Sequence, residues 1–330
     1  VVIDGVRYVQ KYDTAAEAGV YDVTDAEGNV VVSTFAELEA AAKAGGNIAL
    51  GADIEFTKNI AVTNADFTLN GKGHKITQAE SFNNPLVLID ITYGKIGLKN
   101  VKFDGIKTGA VLRTVYAELK ADNVTVENCE HTFEQGQGLI RLVGSSEITN
   151  SMFKNNNCKM LISYNYDGSK PEFTLLLENN VIENNTCSQV GVVYYNDGGG
   201  ATIKNNKFIG NTTNITSNGA TLYMGFTENN VITGNLFQNN KLTTTSTSKR
   251  VGGALHIGYQ CELTGNAFIG NTVSAPVSKG NDVCASVYYT DIDLSGNYWG
   301  GGAPVENDDY FVEYTNHKVI VNDYLAENPI

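Results

Sequence analysis

The chain has 330 residues, 23 of them Lys or Arg against 36 Asp or Glu, for a formal net charge of −13 at pH 7. The few Arg residues gather into no basic stripe, so nucleic acid is excluded as a partner. Apolar runs long enough to span a bilayer are absent, as is a signal-peptide core, so this segment is not expected to insert into a membrane.

Residues 1–32 read as short leading strands (VVIDGVRYV, VYDVT, NVVV) around the turn residues DAEGN at 25–29. Residues 33–46 read as a helix. Thr34 and Glu37 form a capping box, an Ala-rich run follows, and Gly45-Gly46 ends it. A lone helix here is expected to cover the open end of what comes next, shielding its strand edges.

From 47 to 303 the text becomes repetitive. The first coils read NIALGADIEF, NIAVTNADFTLNGKGHKIT and VLIDITYGKIGLKNVKFDGI, with Phe103 and then His131 as anchor residues. One phrase then recurs as NSMFKNN at 150–156, NNVIENN at 179–185, NNKFIGN at 205–211, GNLFQNN at 234–240, GNAFIGN at 265–271 and GNYWGGG at 296–302. Its central apolar residues are Phe153, Ile182, Phe208, Phe237, Phe268 and Trp299, the last read as a core plug. Asn180, Asn206, Asn235, Asn266 and Asn297 stand two places before an anchor. Asn156, Asn185, Asn211, Asn240 and Asn271 stand three places after one. A period of this size means a solenoid. Short alternating runs such as ATIKNNKFI and CELTGNAFI exclude helical repeats, and Gly and Asn suit turns with positive φ. The prediction is all-β: a single-stranded right-handed parallel β-helix, about three short strands per coil, with buried asparagine ladders at its turns.

Residues 304–330 hold a Gly-rich turn, the acidic loop of Glu306, Asp308 and Asp309, and two strands expected to close the far end. AENPI reads as the start of a linker, hence a monomeric module of a larger protein.

The repeats, the LNGKGHKI coil and SGNYWGGGAP resemble the pectin-lyase-like right-handed β-helix superfamily over roughly residues 35–325. Within it they are most similar to adhesin-like surface proteins of gut microbes and to the carbohydrate-binding and sugar-hydrolase repeat group. The resemblance implies the fold, and an extracellular or cell-surface location. It leaves activity open, because this fold hosts lyases, hydrolases, epimerases and binders alike.

A second strand recurs in each coil: GAVLRTV, GLIRLVG, MLISYNY, GVVYYND, GATLYMG, GALHIGY and CASVYYT. Alternation points Arg113, Arg141, Ser163, Tyr194, Tyr223, His256 and Tyr288 outward as one stripe. Tyr rings suit the C–H faces of sugars, and the Arg pair suits carboxylate or sulfate. The plainer alternative is a solvated face built from favoured strand residues. The expected partner is thus a polysaccharide or cell-surface glycan, with a lyase or glycoside hydrolase in the same groove, or a non-binding spacer, as alternatives. The NTD, DD and GHG phrases of polygalacturonases are missing, and no stripe position carries Asp or Glu. A calcium-free lyase would need His256 to neutralise charge and Tyr223 or Tyr288 as base. No cofactor or metal is expected: Asp167 and Asp197 read as Asp-Gly turns, and His74 as a turn residue. Cys158 and Cys187 fall on adjacent rungs, leaving open a disulfide or a ladder of buried thiols.

Overall fold

A computed structural model describes residues 2–3, 6–10, 21–83, 85–131, 138–164, 172–196, 198–216, 218–225, 227–245, 247, 251–276, 279–314 and 316–330, with side chains from 24 onward. The leading strands form an antiparallel meander, Val2–Ile3, Val6–Gln10, Tyr21–Thr24 and Val30–Val32. Pairing then switches to parallel between Val30–Val32 and Gly46–Leu50, across the helix Phe35–Ala44. The helix begins as its capping box dictates. Thr34 Oγ1 accepts from the Glu37 N–H, and Glu37 returns the bond to the Thr34 N–H. Gly45, at φ 81°, ends it by donating to the Ala41 carbonyl. Leu38 and Ala42 are buried in the solenoid's core, and Phe35 meets Phe56 edge-on at 5.0 Å.

The rest is a parallel β-helix. Nine strands stack in one sheet and seven in a second, while the largest sheet is bent and later coils cross it as two strands. The anchor column runs in register Ile54, Ile76, Phe103, Val126, Phe153, Ile182, Phe208, Phe237, Phe268. Phe208, Phe237, Phe268 and Trp299 stack at 4.8–5.3 Å. His131 is not an anchor. Val126 takes that place, and His131 lies in the seven-stranded sheet beside Thr108. The sequence misleads there because the coil from Phe103 to Val126 is shorter than those that follow and a valine stands between two phenylalanine anchors.

The doublets NN and GN divide their labour. The first residue turns the corner at positive φ, whether Asn179, Asn184, Asn205 and Asn239 (54–57°) or Gly210, Gly234, Gly265 and Gly270 (61–68°). Only glycine and, at modest cost, asparagine sit there easily. The second residue turns inward, at most 4 % exposed along both ladders. Asn156, Asn185, Asn211, Asn240 and Asn271 pass Nδ2–H to Oδ1 up one corner at 2.8–3.0 Å. Asn180, Asn206, Asn235, Asn266 and Asn297 do the same up the other. Each ladder Oδ1 also accepts the backbone N–H one coil below, for example Asn206 N–H to Asn235. Polar turn backbone is thereby satisfied inside a dry core.

Cys158 and Cys187 are in register, buried, with Sγ atoms 3.3 Å apart, and all five cysteines are free thiols. Burial first, then the neighbouring thiol, pushes the Cys158 pKa well up. The column continues through Thr213, Leu242 and Val273, so these thiols serve as small buried packing groups. At the far end, Tyr310–Glu313 and Val319–Ile320 pair in parallel with Val283–Ser286 and Ile292–Asp293. They extend the coil stack.

Candidate functional site

The outward column of the large sheet reads Asp90, Arg113, Arg141, Ser163, Tyr194, Tyr223, His256, Cys284 in register. Tyr288 is not in it. The strand of this coil is Val283–Ser286, which puts Cys284 above His256 and leaves Tyr288 in the following turn, 44 % exposed. The strand ends sooner than its apolar text suggests. Tyr288 instead forms an exposed cluster, edge-on to Tyr289 at 4.7 Å and Tyr314 at 5.1 Å, with Tyr259 6.2 Å from Tyr289.

The column has two halves of different character. Tyr194, Tyr223 and His256 stack nearly parallel at 5.5 and 4.3 Å. Tyr223 is only 5 % exposed, and Ser163 and His256 are fully buried. His256 Nδ1 lies 3.1 Å from the Met224 carbonyl oxygen. Those side chains leave the main core as alternation requires, but they are not a wet face. His256 therefore cannot present itself to a sugar chain as the lyase alternative needs.

The other half is polar and half-exposed. Arg113 grips Asp90 through both Nε, at 2.8 Å, and its terminal nitrogen, and that pairing raises the Arg113 pKa. Arg141 sits one rung on with neither hydrogen bond nor ion pair among the described residues, its Nε buried. Burial, then the Arg113 charge, depresses its pKa, with Asp90 partly offsetting both. An arginine keeps its charge regardless. The result is a cation with its donors unspent, beside one already neutralised.

Around the corner, the next stretch of this sheet carries charge ladders. Lys95 meets Glu118 at 3.0 Å, Lys120 meets Glu147 at 3.3 Å, and Lys204 meets Glu178 at 3.0 Å. A groove of about 670 Å³ opens there, lined by Asp66, Thr68, Lys95, Gly97, Glu118 and Lys120 among others. Nothing in the alternation pattern marks it.

Metal donors do not converge. Among the described residues no three His, Cys, Asp or Glu side chains gather. His74 lies 3.3 Å from Asp53, and His317 lies 3.5 Å from Asp291. Asp167 and Asp197 lie outside the described residues.

With this geometry in view, the chain can be placed among known proteins. A family model described as "Periplasmic copper-binding protein (NosD)" matches residues 57–302, and the chain belongs to that family of pectin-lyase-like parallel β-helices. No curated protein matches the chain. The solved structure of L. reuteri 53608 SRRP aligns with 88 % of this chain and 98 % of its own at 13 % identity. Its TM-score of 0.27 is too low to carry any inference.

Proposed function

We propose that this β-helix is a glycan-binding module of an extracellular or periplasmic protein, with an anionic sugar held at Arg141. The observation that supports the reading is the half-buried Arg141 guanidinium, which has no partner among the described residues, beside the Arg113–Asp90 pair. A carboxylate or sulfate would supply the missing acceptor in bidentate fashion. Tyr194, two rungs further and half-exposed, offers a ring to a neighbouring sugar. Rungs repeat at about 4.8 Å, a step comparable to one pyranose unit, so an extended polysaccharide can keep pace with the coils.

Copper, which the family description carries, does not fit the donors among the described residues. The histidines are scattered, and among the described residues the close pair of soft donors, Cys158 and Cys187, is buried and held protonated. The module reading therefore rests on the arginine.

Affinity gels cast with polygalacturonate, a sulfated glycosaminoglycan or a neutral glucan provide the test. The acidic polymers should retard the protein, and Arg141→Gln should weaken retention about tenfold or more, about 1.4 kcal/mol. Equal retention of the variant, or none of the parent, would reject the site.

A further inference from the structure

Three successive rungs turn one corner of the large sheet through a residue in the left-handed conformation: Asn64, Tyr93 and Tyr116, at φ 55°, 58° and 54°. Their flanking residues pair directly, Thr63 with Thr92 with Val115, and Ala65 with Gly94 with Ala117. Of the sixteen described non-glycine residues with positive φ, twelve are asparagine, and the other four are Lys72 and three tyrosines, Tyr93, Tyr116 and Tyr314. An aromatic side chain there carries backbone strain that the equivalent Asn64 largely avoids. Strain of this kind gathers where a side chain must be presented in a particular way.

What the corner presents is a stair of rings. Tyr93 and Tyr116 stack at 5.7 Å with planes 19° apart, and Phe173 follows at 6.4 Å. Tyr93 is 49 % exposed. Two residues beyond each tyrosine, Lys95 and Glu118 enter the groove of about 670 Å³. Gly97 lies in register between Thr68 and Lys120, and a Cβ there would meet Thr68 Oγ1 at 2.8 Å. The floor is thus clear of side chain where the charged walls stand to either side.

We propose that this corner is a second saccharide subsite, taking an uncharged pyranose. The sugar's C–H face lies on the Tyr93–Tyr116 stair, and its hydroxyls meet the Lys95, Glu118 and Lys120 side chains. Flat apolar rings provide the contact area, while the paired charges offer both donors and acceptors without favouring a net charge on the ligand. The subsite uses none of the residues around Arg141, so the two stand or fall separately.

Isothermal titration calorimetry with uncharged gluco-, xylo-, manno- and galacto-oligosaccharides tests it. The parent should bind at least one series. Tyr93→Asn should weaken that binding tenfold or more while the thermal midpoint holds or rises, because Asn64 shows that asparagine fits this corner. Tyr93→Phe should keep the affinity, and so should Arg141→Gln. Three results would overturn the proposal: no uncharged oligosaccharide binding to the parent, undiminished binding by Tyr93→Asn, or a midpoint lowered by several degrees in that variant. The last would make the tyrosine stair a packing device.

Discussion

Replacing Asn235 by alanine is expected to destabilise the solenoid by roughly 3–5 kcal/mol, although it removes only a small side chain. Its Oδ1 accepts from both the backbone N–H and Nδ2–H of Asn206. Its Nδ2 donates to the Ile203 and Thr233 carbonyls and to Asn266 Oδ1. Alanine strips the buried Asn206 N–H and Ile203 carbonyl of these partners and takes one acceptor from Asn206 Nδ2, at about 1–3 kcal/mol for each unsatisfied group, partly offset by local relaxation. The neighbouring doublet supplies the control. Asn239→Gly should be nearly neutral, because Gly210 and Gly270 already hold the equivalent corners at φ 61° and 63°. Urea unfolding followed by circular dichroism distinguishes the two. A loss below about 1 kcal/mol for Asn235→Ala would mean that water reaches the ladder.

The second large effect is electrostatic. Asp282 is 6 % exposed and terminates one ladder, accepting from Asn271 Nδ2 at 2.8 Å. Burial pushes its pKa from 3.8 up to about 7, with the charges of Asp309 and Asp308 adding to the rise and the Asn271 bond opposing it. Between these values the folded chain holds a proton that the unfolded chain has released. The stabilisation is therefore complete below about pH 4 and is lost as pH climbs to about 7. Asp282→Asn keeps the acceptor and carries no charge. It should exceed the parent in stability at pH 8 by up to about 4 kcal/mol, at about 1.4 kcal/mol per pH unit. The difference should shrink towards zero by pH 4. Thermal midpoints of both proteins across that range provide the measurement, and a pH-independent difference would show Asp282 ionised throughout.

Much of the fold was legible because its determinants are local and periodic. Thr34 and Glu37 announced the helix, and the spacing of Asn206, Asn235 and Asn266 announced the ladder, since both depend on residues a fixed distance apart. The site was less legible. Alternation told which side chains leave the core, but not what lies over them. Tyr223 and His256 are outward and yet buried, while a separate apolar cluster of Ile215, Leu242, Val251 and Val273 forms outside the main core. Tyr288 was misplaced because apolar text continues past the end of its strand. Tyr93 and Tyr116 were missed for another reason: a positive φ at tyrosine goes against the residue's own preference, so only the backbone reveals it.

The two ladders also determine how the chain can change in length. Below the last rung every ladder amide points the same way, giving one hydrogen to the asparagine of the coil above and accepting at its oxygen from the coil below. Excising residues 180–205 would deliver Asn206 to the place of Asn180 and Asn211 to that of Asn185, and both columns would close again. A cut that removed a ladder asparagine without bringing its equivalent into the same place would break the column. The ladders therefore count in whole coils while the loops between their rungs differ in length, and a protein built this way gains or loses rungs by duplication or loss of a unit.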